Sequence, residues 1–352
     1  MKRPLPRALL LIAVLLLAGC GQQKAGDAGQ QSASGQPGMH WKMQSYWQSG
    51  TLPQTLFEEF AKRVTDLSGG RLAVEALATG AVVAPTESLD AVGSGVLDGH
   101  NGGPAYFTGK DAAFALLGDP QGAFETPYQF QMWMEYGGGN ELARELYATY
   151  GVHFVGGVWY GQECLVSKRP LRSLADFKGL KIRAPQGMNG EIFTQLGAAP
   201  VQLPGSEVYT ALERGVVDAA DWGTLSMNDD LGYHKLAKYP TYPGFHSMPM
   251  GEISVNKAKW DALPADLKAI IESATYEFAR AMIQRNYLAD AKVAVERGQR
   301  GFEPTDMPLE ERQKFREIAR SVWKEYAARS PLAQKVHASQ IAFLQQLGLL
   351  RE

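Results

Sequence analysis

The stretch LKIRAPQGMNGEIFTQLGAAPVQLPGSEVYTALERGVVDAADWG, from Leu180 to Gly223, decides the fold. LKIR is short and apolar enough for a strand, and Pro185 keeps the residue before it extended. Helices are expected at about Asn189 to Leu196 and Gly205 to Arg214, after which VVDAADW returns to strand. Strand and helix alternating in this way build βαβ units around a mainly parallel sheet.

WYGQECLV (Trp159 to Val166) lies just upstream. Together these runs offer an amide at Gln162, a permanent cation at Arg183, and a carboxylate beside an indole at Asp221 and Trp222, each at the end of a strand-like run. That set can hold a small anion, with or without a metal ion, and does not by itself carry out catalysis. Arg183 is the sharpest signal. Gly187 opens a helix just beyond it, so a guanidinium fork and a helix N-terminus can face one point and take a carboxylate. The competing reading is an ion pair between lobes.

Towards the N-terminus the alternation continues. His40 to Trp47 reads as a strand, Pro53 opens a helix with Leu56, Phe57, Phe60, Val64 and Leu67 on one face, and Gly69-Gly70 closes it. RLAVEAL (Arg71 to Leu77) is a second strand, and a helix from about Pro85 to Val96 leads into the glycine-rich segment Asp98 to Tyr106. Two helical pieces broken at Gly137-Gly138-Gly139 precede a buried strand, Gly151 to Tyr160.

SLDAVGSGVLDGHNG (Ser88 to Gly102) and VYTALERGVVDAADWG (Val208 to Gly223) echo each other: a helix ending in Gly, then Val-x-Asp, then a short strand. The echo sets Asn101 opposite Asp221 and suggests two similar lobes presenting equivalent strand tips to one cleft. A commonplace turn occurring twice is the alternative. Beyond a strand at Gly251 to Asn256, the chain turns helical. Ala265 to about Gln299 is one long amphipathic run able to brace both lobes, and Pro308 to Gly348 supplies at least two more helices.

Composition excludes some functions. The chain has 352 residues, enough for about two domains, with Lys+Arg 35 against Asp+Glu 37, and no basic cluster that would serve a nucleic acid. The six histidines form no HExxH, no Gly-x-Ser-x-Gly elbow occurs, and Cys164 sits in an apolar strand as an inert thiol. Asp218, Asp221, Asp229 and Asp230 are candidates for a glycosidase pair, but adjacent Asp229 and Asp230 point apart.

At the N-terminus, Lys2, Arg3 and Arg7 precede an apolar run from Ala8 to Ala18 that is too short to span a bilayer. It is read as a secretory leader, residues 1–19. Leu17-Ala18-Gly19-Cys20 resembles the lipobox of bacterial lipoproteins, which implies acylation at Cys20 and a periplasmic or extracytoplasmic chain anchored to a bacterial membrane by lipid. Residues 20–38, polar and small, read as a flexible tether.

DFKGLKIRAPQGMNGEIFTQLGAAPVQLPGSEVYTALERGVVDAADW (Asp176 to Trp222) resembles the signature segment of the solute-binding proteins of TRAP transporters (tripartite, ATP-independent periplasmic). The likeness runs from about Trp41 to the last helices and includes SVNKAKWDALPADLKAII (Ser254 to Ile271). It implies a two-lobed α/β fold of the periplasmic-binding-protein kind, with mixed sheets, a long helix spanning both lobes and a helical C-terminus. It also implies a first lobe at 39–160, completed by part of 250–300, a second at 161–249, and the crossover strand, long helix and C-terminal helices at 250–352.

Within that family the chain looks most like the branch that binds 2-oxo or 2-hydroxy monocarboxylates through a metal ion. The resemblance implies a non-enzymatic transport subunit delivering its ligand to membrane permease subunits. It puts Gln162, Arg183, Tyr106 and Trp222 on the ligand, to which the echo adds Asn101, and puts Gln162, Asp221 and the Trp222 carbonyl on a bridging Na+ or Ca2+. Two departures stand out: the acidic position is often Glu and is Asp221 here, and PGFHSMPMGE replaces a Trp-His-Glu-Pro run, leaving the role of Phe245, His246 and Ser247 open. The rival readings are a sensor for a membrane receptor and a secreted hydrolase or lyase; the resemblance also leaves open a homodimer of this chain through its C-terminal helices, as in some relatives of the branch.

Overall fold

The computed structural model describes residues 38–185 and 187–350. The leader, Cys20 and all of the tether but Gly38 lie outside the described residues.

Nine strands among the described residues form two mixed sheets: β1 (Met39–Ser45), β2 (Leu72–Leu77), β3 (Gly99–Gly102), β4 (Val152–Trp159), β5 (Cys164–Ser167), β6 (Lys181–Ala184), β7 (Ala199–Gln202), β8 (Ala219–Gly223) and β9 (Met250–Asn256). The first sheet runs β2-β1-β3-β9-β4 and the second β5-β8-β6-β7. The expectation of a mainly parallel arrangement needs amending. β1 is parallel to β2 and β3, but β9 is antiparallel to both its neighbours. In the second sheet β6 is parallel to β7 and β8, and β5 is antiparallel to β8. Strands that return from the other sheet arrive in the opposite sense, which no local pattern encodes.

The echo between the two halves has a structural counterpart. β3 and β8 each sit inside their sheet, each with a parallel neighbour on one side and an antiparallel one on the other. Asn101 and Asp221 are each the third residue of their strand.

Helix Leu52–Leu67 starts at Thr51, whose side chain accepts the Gln54 N–H, and buries Leu56, Phe57, Phe60 and Val64. That face meets the long helix Ala265–Val295, with the Phe60 and Phe278 rings 5.6 Å apart. At about 1.5 Å per residue this helix is some 45 Å long. One end packs on the first sheet. At the other, the Asp290 carboxylate takes the Thr224 hydroxyl at 2.8 Å, the Ser226 N–H at 2.7 Å and the Ser226 hydroxyl at 2.6 Å, just past β8. One helix therefore braces both sheets.

Two expectations were incomplete: helix Ala113–Gly118 and strand β7 lack a periodic signal of their own. The helices Leu309–Ala327 and Pro331–Gln346 bury Phe315, Trp323, Tyr326, Phe343 and Leu344, and Gln340 Nε2 donates to the Leu116 carbonyl at 2.8 Å. Those faces are used within the chain. No helix among the described residues is long and apolar enough to cross a membrane.

Candidate functional site

The parallel strands of both sheets end towards one small cavity of about 50 Å³, as expected of ligand crevices outside the carboxyl ends of strands. Tyr46 and Trp47 follow β1, Tyr106 follows β3, Tyr160 and Glu163 lie between β4 and β5, Arg183 is on β6, and Asp221 and Trp222 are on β8.

Arg183 is 2 % exposed. Its Nε donates to the Leu203 carbonyl at 3.0 Å and its Nη1 to the Asp221 carbonyl, so the main chain on both sides holds the guanidinium plane. The Trp222 ring centre is 5.4 Å from Cζ. These contacts use the Nε hydrogen and one on Nη1; N–H groups remain for Tyr106 and a bound anion. Tyr106 lies beside it: burial raises the phenol pKa, and the Arg183 cation pulls the other way.

Against this one fixed cation stand three buried carboxyl groups, Asp119, Glu163 and Asp221. Asp221 Oδ1 is 3.0 Å from His246 Nε2, and Oδ2 has no partner among the described residues. Glu163 accepts the Tyr160 hydroxyl at 2.9 Å, and its other oxygen is 2.7 Å from Ser247 Oγ. Asp119 receives Asn189 Nδ2 at 2.7 Å and lies 2.8 Å from the same Ser247 oxygen. Ser247 has one hydroxyl hydrogen for two carboxyl contacts, so at one of them a protonated carboxyl must be the donor.

The charge states follow from these contacts. Burial and the neighbouring Asp221 push the Glu163 carboxyl well up, in the direction of its protonated form. Burial also opposes the Asp221 charge, but His246, the neighbouring Glu163 carboxyl and the Arg183 cation together hold it below the usual carboxylate range. Burial and Asp221 push Asp119 up to about 6. Ligand atoms of Glu163, Asp221 and His246 all lie within 4.8 Å of one another. Two full negative charges at that separation would repel by roughly 3–4 kcal/mol at an effective dielectric of 20, so the site needs a proton or a cation between them.

Of the residues singled out from sequence, Arg183, Tyr106, Asp221 and Trp222 line the cavity together. Gln162 does not line it: the chain turns at Gly161 with φ +116°, and the Glu163 N–H donates to the Ser247 carbonyl at 3.0 Å. Glu163 thereby enters the cavity wall while Gln162 lines a separate, narrow crevice with Phe124 and Phe245. Asn101 also stands behind the wall. Its Oδ1 takes the Trp47 indole N–H at 2.8 Å and its Nδ2 donates to the Glu252 carbonyl at 3.0 Å, so it holds Trp47 in place. Sequence reasoning missed Asp119 and Glu163; the replaced segment PGFHSMPMGE was the one signal that the wall differs here. Cys164 is buried, and burial pushes its thiol well up, as expected of an inert position.

Residues 43–330 match the model of the bacterial extracellular solute-binding proteins, family 7. The monocarboxylate 2-oxoacid-binding periplasmic protein of Nostoc sp. is 28% identical over 342 residues, 97% of this chain and 92% of that one. A TRAP periplasmic solute-binding protein from Rhodobacter sphaeroides, solved as an apo open structure, is 41% identical with a TM-score of 0.74, covering 89% of this chain and 100% of that one. Another, from Pseudoalteromonas atlantica with bound sodium and pyruvate, is 26% identical with a TM-score of 0.79, covering 89% and 96%. A third, from Colwellia psychrerythraea with bound calcium and pyruvate, is also 26% identical with a TM-score of 0.78 over the same shares.

Proposed function

Given that the chain belongs to the bacterial extracellular solute-binding proteins of family 7, a family of binding proteins and not enzymes, we propose that it captures a small 2-oxo or 2-hydroxy carboxylate together with a cation. The observation that carries this reading is the pairing of Arg183, with donors to spare, and the unpartnered buried oxygen Asp221 Oδ2 in one small cavity. The ligand's carboxylate goes to Arg183, with Tyr106 beside it.

The donor set fits a hard cation. Asp221 Oδ2 is a buried oxygen without a partner among the described residues, and a metal would favour the charged form of Glu163 beside it. Asp221, Glu163 and the Trp222 carbonyl would hold Na+ or Ca2+, the ions that pyruvate-binding relatives carry. Such an ion supplies positive charge to the ligand's carboxylate and 2-oxygen. His246 keeps Asp221 oriented, and Ser247 ties Glu163 to Asp119. A ligand without the 2-oxygen would offer such a cation one oxygen fewer and would bind more weakly.

The same reading makes TRAP membrane permease subunits the recipients of the ligand and Cys20 the lipid-bearing anchor. Thermal unfolding of the chain with 2-oxo acids, 2-hydroxy acids and plain carboxylates, each with Na+, Ca2+ or chelator, tests it. Stabilisation confined to 2-oxygenated acids plus cation is expected, and lost in Arg183→Ala. Equal stabilisation by plain carboxylates under chelator removes the cation from the account.

A further inference from the structure

The small cavity shares Tyr46, Ala105, Tyr106, Pro185 and Trp222 with a second, much larger one of about 520 Å³. Its outer wall comes from both halves of the fold: Ala84, Pro85 and Thr86, which precede β3, and Gln202 to Ser206, at the end of β7 and just beyond it. Gln48, Thr86, Gln202 and Ser206 supply amides and hydroxyls, Leu203 and Pro204 supply carbon surface, and no residue lining the chamber carries a formal charge.

We propose that this chamber is the subsite for a ligand tail, and that the ligand is a 2-oxo or 2-hydroxy monocarboxylate extended by an uncharged chain of several carbons. The inference rests on the head-group reading above. Size carries the first step. A space of about 50 Å³ holds only a few water-sized groups, enough for the carboxylate and 2-oxygen, and the chamber that shares five of its lining residues is the adjoining space for a longer chain. The chamber itself falls within the roughly 300–1,000 Å³ typical of ligand pockets.

Charge carries the second step. Arg183 is taken by the head group, and a second carboxylate in the chamber would be partly stripped of water with no cation to meet it. Chain carbons against Leu203, Pro204 and the Trp222 ring gain by burial, and a tail hydroxyl finds Thr86 or Ser206. A tail lying there touches both halves of the fold at once.

The test is calorimetric titration of the full chain with pyruvate, 2-oxobutyrate, 2-oxopentanoate, 2-oxohexanoate and 2-oxoglutarate under one cation condition. Affinity is expected to rise roughly two- to fourfold per added methylene. 2-Oxoglutarate is expected to bind roughly tenfold or more weakly than 2-oxopentanoate, which has the same chain length without the second charge. Thr86→Trp and Ser206→Trp, at exposed positions lining only the chamber, should leave pyruvate binding as it is and abolish the gain from longer chains. Pyruvate binding with affinity flat or falling along the series, or tryptophan variants that follow wild type throughout, overturns the tail subsite while leaving the head-group reading intact. Failure of every 2-oxo acid to bind overturns both.

Discussion

His246 Nε2 lies 3.0 Å from Asp221 Oδ1, with both side chains buried, and the contact leaves Asp221 Oδ2 without a partner among the described residues, on a residue that lines the small cavity. The imidazole thus fixes which carboxylate oxygen is free. Replacing His246 by Ala removes that orientation while Arg183 keeps its grip on the main chain. Cation-dependent ligand affinity is expected to fall about 10- to 100-fold, the range for partners that orient a metal ligand. Calorimetry on His246→Ala checks this; unchanged affinity would mean that Asp221 needs no such support.

Glu163→Gln keeps an acceptor for the Tyr160 hydroxyl and a group able to bond Ser247, but removes one carboxyl from the site. Affinity for oxygen-ligated cations follows ligand charge. The variant should lose Ca2+ affinity by roughly tenfold or more, with little change for Na+. Cation titrations followed by thermal unfolding read the difference; parallel losses for both ions would assign Glu163 a packing role only.

Asp119 gives a pH dependence whose sign is fixed. Its folded pKa, about 6, lies above the ordinary 3.8, because burial and Asp221 disfavour the charge. The native state therefore holds a proton that the unfolded state has lost, and the stability this contributes is complete below 3.8 and lost as pH rises to about 6. A displacement from 3.8 to about 6 corresponds to about 3 kcal/mol. Denaturant unfolding of the cation-free chain should show Asp119→Asn lacking that part of the slope; identical slopes would place the proton elsewhere in the cluster.

Gly205 is required by the indole beside it. A Cβ there would stand 1.9 Å from Trp222 Cζ3, so Gly205→Ala must displace the ring that backs Arg183 and walls both cavities. Destabilisation of about 1–3 kcal/mol is expected from such overpacking, with ligand binding weakened as well. Gly109→Ala, whose Cβ meets nothing within 4 Å, is the matched control and should behave as wild type in both assays.

The sequence made Arg183 legible because strand, proline and helix start are local signals that converge on one residue. Asp221 and Trp222 were legible for the same reason, as the end of the strand VVDAADW. Glu163 was not: its neighbour Gln162 is equally polar, and only the turn at Gly161 and the bond to the Ser247 carbonyl decide which side chain enters the wall. Asp119 is 128 positions from Ser247 and follows a short helix without periodicity, so nothing local joins it to the site. Asn101 was placed by an echo that holds for the strands and fails for the side chain, because Trp47 occupies its amide oxygen. Sheet order followed the same rule: strand identity was local, while the antiparallel returns of β5 and β9 depend on partners far along the chain.

The most direct test of the account is a crystal structure of the chain grown with Ca2+ and a 2-oxo acid. The ligand's carboxylate is expected on the Arg183 guanidinium and a cation within about 2.3–2.6 Å of Asp221 Oδ2, shared with the ligand's 2-oxygen. A ligand seated on Arg183 with Asp221 Oδ2 bonded to water and no cation nearby would contradict it.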